Sequence, residues 1–103
     1  MATSICTLTS TLYAKPEKRD ELLALITTFV EKSRNELGCL EYNLQISQSD
    51  PNVFMFYENW RERECLEVHN RLPYQREWFK RMPDLLAKPA EVKFYNLVGT
   101  LAS

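Results

Sequence analysis

Leu37-Gly38-Cys39-Leu40-Glu41-Tyr42-Asn43-Leu44-Gln45-Ile46-Ser47 is the stretch where the chain changes its period. Leu40, Tyr42, Leu44 and Ile46 alternate with Glu41, Asn43, Gln45 and Ser47, the two-residue repeat of a strand with one buried face. Upstream, from Pro16 to Leu37, the repeat is helical. Leu22, Ile26, Phe29 and Ser33 fall on one stripe, which Leu25 and Val30 widen. Glu17, Asp20 and Glu21 near its start, with Lys32 and Arg34 near its end, suit the helix dipole. Gly38 supplies the left-handed residue that stops the helix, so a helix hands over directly to a strand.

Working outward, an earlier strand is predicted from Thr3 to Tyr13, with Cys6, Leu8 and Leu12 on one face. Ile5, Thr7, Thr9, Thr11 and Tyr13 take the other face, and Pro16 opens the helix. After the Ser49-Asp50-Pro51-Asn52 turn, Val53 to Trp60 forms a third strand that is apolar on both faces except for Glu58 and Asn59. Alternation puts those two on opposite faces, and a surface salt bridge from Glu58 to Arg61, Arg63 or Arg71 is expected. Glu62 to Asn70 makes a short helix with Cys65, Leu66 and His69 on one side. Pro73 starts another, carrying Tyr74, Trp78 and Met82 at successive i+4 positions. Pro83 kinks or restarts it, Pro89 closes it, and a last strand runs from Glu91 to Val98.

The order is β-α-β-β-α-β, the second α being two pieces. This is an α+β, ferredoxin-like domain over residues 1–103, with an antiparallel four-stranded sheet and helices on one face. Helices in so small a domain cover only one face of the third strand. The other face calls for a second copy, hence a homodimer through the sheet.

Composition narrows the function. The net charge of −1, with Lys and Arg interspersed among Asp and Glu, argues against nucleic acid as the partner. No apolar run approaches the ~20 residues of a membrane span, and no signal peptide is evident. Cys6, Cys39 and Cys65 are widely spaced and form no zinc pattern, which suits buried thiols in a reducing cytoplasm. Two glycines leave no phosphate-cradling loop.

Gly38-Cys39-Leu40-Glu41-Tyr42, Glu58-Asn59-Trp60, and His69-Asn70-Arg71-Leu72-Pro73-Tyr74 followed by Trp78-Phe79 together resemble the antibiotic biosynthesis monooxygenase family, over nearly the whole chain. The resemblance implies a ferredoxin-like protomer, a dimeric α/β barrel and a pocket between sheet and helices. Relatives in that family include cofactor-independent oxygenases of phenols, quinols and polycyclic aromatics, haem-degrading enzymes, and an isomerase of a phosphorylated signalling sugar. Fold alone does not choose among them.

Within such a pocket His69 is the candidate base, because imidazole titrates near working pH. A satisfied core histidine is the plainer alternative. Trp60, Tyr74 and Trp78 would wall a flat ring, or simply fill the core. Tyr57, Asn59 and Cys65 complete the candidate substrate-binding set, with Tyr42 and Tyr95 as further hydroxyls whose face alternation leaves open. A cofactor-independent monooxygenase of a quinol-like substrate is the expected activity, with no metal, haem or flavin. The first strand lacks the Asn, and Trp78-Phe79 replaces the His, that the haem-degrading pattern uses. The isomerase alternative would draw on Arg71, Lys80, Arg81 and Lys93 for phosphate; a binding protein without turnover is the third possibility.

Overall fold

β1, Cys6–Tyr13, lies at the centre of a sheet because its two faces differ: Cys6, Leu8 and Leu12 are buried beneath it, and threonines line its other side. The computed structural model describes residues 4–100. Thr3, placed in β1 by the sequence, lies outside them. Pro16–Lys18 forms a 3-10 turn that leads into helix α1, Arg19–Arg34. The residues buried along α1 are Leu22, Ile26, Phe29 and Ser33, the stripe read from the sequence. α1 ends at Arg34 rather than Leu37, and the chain reverses through Asn35 to Gly38, where φ is +82°.

Strands β2, Cys39–Ile46, and β3, Val53–Trp60, pair antiparallel around the turn between them. A bulge between Cys39 and Glu41 takes Leu40 out of the ladder and leaves it 43% exposed. Helices α2, Arg63–Arg71, and α3, Pro73–Leu85, follow, and α3 continues through Pro83 without restarting. β4, Glu91–Tyr95, is shorter than expected and pairs with β1. The sheet order is β2-β3-β1-β4, all antiparallel, with the helices on one side: the ferredoxin-like α+β plan.

The register divides the side chains of β3 between two environments. Phe54, Phe56, Glu58 and Trp60 are buried on the helix side. Val53, Met55, Tyr57 and Asn59 face the open side, where β1 presents Thr7, Thr9 and Thr11 beside them. The open face is therefore less greasy than the sequence suggests. Its buried polar group, Asn59, accepts from Thr7 Oγ1 and donates through Nδ2 to Glu41 Oε1 at 2.8 Å and to the Tyr57 hydroxyl at 3.1 Å. Pairing of this kind is what lets an amide sit out of water.

Candidate functional site

The turn after α1 brings a carboxylate to the histidine. Arg34 donates from Nε to the Tyr42 carbonyl at 3.0 Å and from its guanidinium to Asn43 Oδ1 at 2.9 Å. The Arg61 amide donates to the Gly38 carbonyl at 2.8 Å. These bonds pin the turn against β2 and β3, leaving the Glu36 side chain over α2. There His69 Nδ1 meets Glu36 Oε1 at 2.7 Å, and the Tyr74 hydroxyl donates to Glu36 Oε2. Ser33 Oγ completes the chain, 2.9 Å from the same hydroxyl. A carboxylate accepting at Nδ1 fixes the tautomer, so the lone pair of neutral His69 sits on Nε2.

Beside this network lies a cavity of about 130 Å³ between sheet and helices. Its polar lining comes from Ser10, Tyr42, Glu58, His69, Asn70 and Gln75; Phe56, Leu66, Trp78 and Phe94 are among its apolar walls. Glu58 is 5% exposed and accepts from Trp60 Nε1 at 2.9 Å. Burial is the main force on its carboxyl, pushing it up to about 7; the Trp60 hydrogen bond pulls the other way and the nearby Glu36 charge adds to the rise. The surface salt bridge expected of Glu58 is therefore replaced by a buried carboxyl facing the cavity. His69, 2% exposed, is lowered by burial, against which its bond to Glu36 and that residue's charge work. Tyr42 and Tyr74 are both raised, chiefly by burial. The arrangement offers a neutral imidazole and a carboxyl poised between its two protonation states in one largely apolar space.

His69 and Trp78 line the cavity. Trp60 and Tyr74 sit behind them: Trp60 stacks against the His69 ring with centroids 4.7 Å apart, and Tyr74 holds Glu36. The rest of the substrate-binding set expected from the sequence lies outside this cavity. Tyr57 and Asn59 lie on the open side of the sheet, away from the cavity, because β3 alternates and Glu58 takes the inward position. Cys65 packs on Gly38 rather than on the cavity. Tyr42 points inward and Tyr95 outward. Of the cations offered for phosphate, none lines the cavity; Arg81 pairs with Glu21 at 2.8 Å and Lys93 faces the open side.

Glu36, Glu58 and Gln75 were missed as site residues. Glu58 was visible as a lone carboxylate in an apolar strand, and only the side it faces was unknown. Gln75 sits one position beyond Tyr74 and reads as ordinary helix surface. Nothing local marks Glu36, whose partner is 33 residues away. Among the described residues no three His, Cys, Asp or Glu side chains converge as a metal-binding group, and no helix is long and apolar enough to cross a membrane.

A ferredoxin-like sheet with a cavity between it and the helices defines the class of α+β protein to which this chain belongs. Residues 6–81 match the family model for antibiotic biosynthesis monooxygenase, and the chain is a member of that family. It is 45% identical over 86 residues to sll1783 of Synechocystis sp., a match that covers 84% of this chain but 58% of that longer relative. It is 31% identical over 78 residues to "Putative monooxygenase YcnE" of Bacillus subtilis, covering 76% of this chain and 82% of that one. Rv0793 from Mycobacterium tuberculosis superposes with a TM-score of 0.90 over 96% of this chain and 100% of that chain; at 23% identity this likeness speaks for the fold.

Proposed function

We propose that the protein is a monooxygenase that oxidises a phenol or quinol with O₂, using no metal or flavin. The observation that carries this is the Glu36–His69 pair, which presents a buried imidazole at the cavity wall. His69 takes the hydroxyl proton at Nε2, and the carboxylate at Nδ1 stabilises the imidazolium that results. The electron-rich phenolate is then the reductant of O₂. For a hydroquinone the balance is quinol plus O₂ giving hydroxyquinone plus water: the ring loses four electrons, one oxygen atom enters it, and the other leaves as water. Glu58 is placed to supply a proton to the departing oxygen, and the apolar walls keep solvent from the intermediate.

Family membership supports this reaction class. The phosphosugar isomerase lacks comparable support, because no Lys or Arg lines the cavity. The proposal includes a homodimer through the open sheet face, where no helix of the described residues covers Thr9, Thr11, Met55 and Tyr57. It also includes a cytoplasmic location, in keeping with three free cysteines. Oxygen uptake with methylhydroquinone tests the activity. The protein should exceed the buffer rate, and His69→Ala should abolish the excess. Uptake at the buffer rate, or unchanged by that substitution, overturns it.

A further inference from the structure

The cavity contains a polar group that the chemistry above leaves unused. Gln75 is 4% exposed and lines the cavity from the first turn of α3. Its Nε2 is buried and makes no hydrogen bond, alone in this among the side-chain nitrogens and oxygens of the described residues. The Tyr74 hydroxyl is near enough for the amide to draw its titration down slightly, but no hydrogen bond of normal geometry joins them, and that oxygen is already shared with Ser33 and Glu36. A buried amide left without an acceptor destabilises a fold, and such groups persist where a ligand supplies the partner. Two other polar groups of the cavity each have a partner at one atom: His69 Nδ1 at Glu36, and Glu58 Oε1 at Trp60.

We infer that Gln75 is a substrate-binding residue, whose amide donates to a second oxygen on the ring whose first hydroxyl faces His69. This rests on the phenol site proposed above for the seat of the ring, but not on turnover. The ligand class follows from the two ends together: an arene with two oxygens, one to be deprotonated and one to accept. The cavity measures about 130 Å³. Cavities of roughly 150 Å³ take up one benzene ring, so the inner part of this one seats a single ring, with its open side toward half-exposed Phe79, Val92 and Phe94.

Anaerobic titration calorimetry with hydroquinone and 4-methylphenol isolates the second oxygen, because the two molecules differ by a hydroxyl for a methyl and neither reacts without O₂. The protein should bind hydroquinone at least about tenfold more tightly, the preference expected of a buried donor left unpaired by the methyl. Gln75→Met and Gln75→Leu should each erase that preference while still binding 4-methylphenol. A ratio near one in the unsubstituted protein, a ratio that survives both substitutions, or no binding of either ligand overturns the inference. Hydroquinone preference without oxygen uptake would sink the monooxygenase reading alone. Uptake without a Gln75-dependent preference would sink this inference alone.

Discussion

Glu58 and His69 face the same cavity, and burial moves their titrations in opposite senses. Glu58 titrates near 7 when folded and near 4.5 when free. Below 4.5 both states are protonated and the fold has its full stability. As pH rises toward 7 the unfolded chain ionises first, so stability falls, by on the order of 3 kcal/mol when the change is complete. Glu58→Gln should abolish that loss, read as urea midpoints that no longer drop between pH 4.5 and 7.5. His69, lowered when folded, favours the fold above its free value and costs stability as pH falls through the folded one. The residual slope of Glu58→Gln should therefore run upward with pH. A slope unchanged from the parent would show that Glu58 is not the buried acid. For the proposed reaction, His69→Ala should cost about 10²–10⁴ in kcat, the usual contribution of a general base. Glu36→Gln should lower kcat with little change in KM and move the pH–rate profile, since it alters the imidazolium's partner rather than the ring's seat.

At the level of elements, the turn from α1 to β2 sets the site, and Gly38 sets the turn. A Cβ there would overlap Cys65 Sγ and lie 2.9 Å from its Cβ, and φ at +82° is one that L side chains avoid. Gly38→Ala should destabilise by about 1–3 kcal/mol, the left-handed penalty plus the clash, and loosen Glu36 from His69. Adding Cys65→Ala should recover only the part due to sulfur, as thermal midpoints would show. The glycine was legible because a helix-to-strand change of period needs such a residue, and the α1 stripe was legible because 3.6-residue spacing records burial directly. The three-residue error in where α1 ends has a physical cause: Asn35 and Glu36 continue a helical composition, while the bonds that hold the turn depend on where β2 and β3 lie, Arg34 of α1 reaching the Tyr42 carbonyl and the Arg61 amide, just past β3, reaching the Gly38 carbonyl. Alternation likewise separated Glu58 from Asn59, but composition assigned the wrong one to solvent. A carboxylate looks like surface until the indole N–H that donates to it is seen beside it.

On the scale of the whole molecule, cavity and proposed interface lie on opposite sides of one sheet, which makes them separable. The open face centres on β1, where Thr9 sits between Tyr57 of β3 and Lys93 of β4. A sheet with one uncovered face of half-buried threonine, methionine and tyrosine is satisfied by a second copy packed against it. Sedimentation should give twice the chain mass at micromolar concentration, and a monomer there removes the proposed dimer. Thr9→Lys should weaken association by about a hundredfold or more, because the new ammonium is desolvated beside Lys93, while the nearby Glu91 is already bonded by Tyr13. In the separated protomer the same lysine reaches water, so the circular dichroism should be unchanged. A Thr9→Lys protein that remains dimeric would mean that the copies meet on another surface. The cavity is lined from all four strands and from α2 and α3 of a single chain. The monomeric variant should therefore keep its preference for hydroquinone over 4-methylphenol, and loss of that preference would show that the partner completes the pocket.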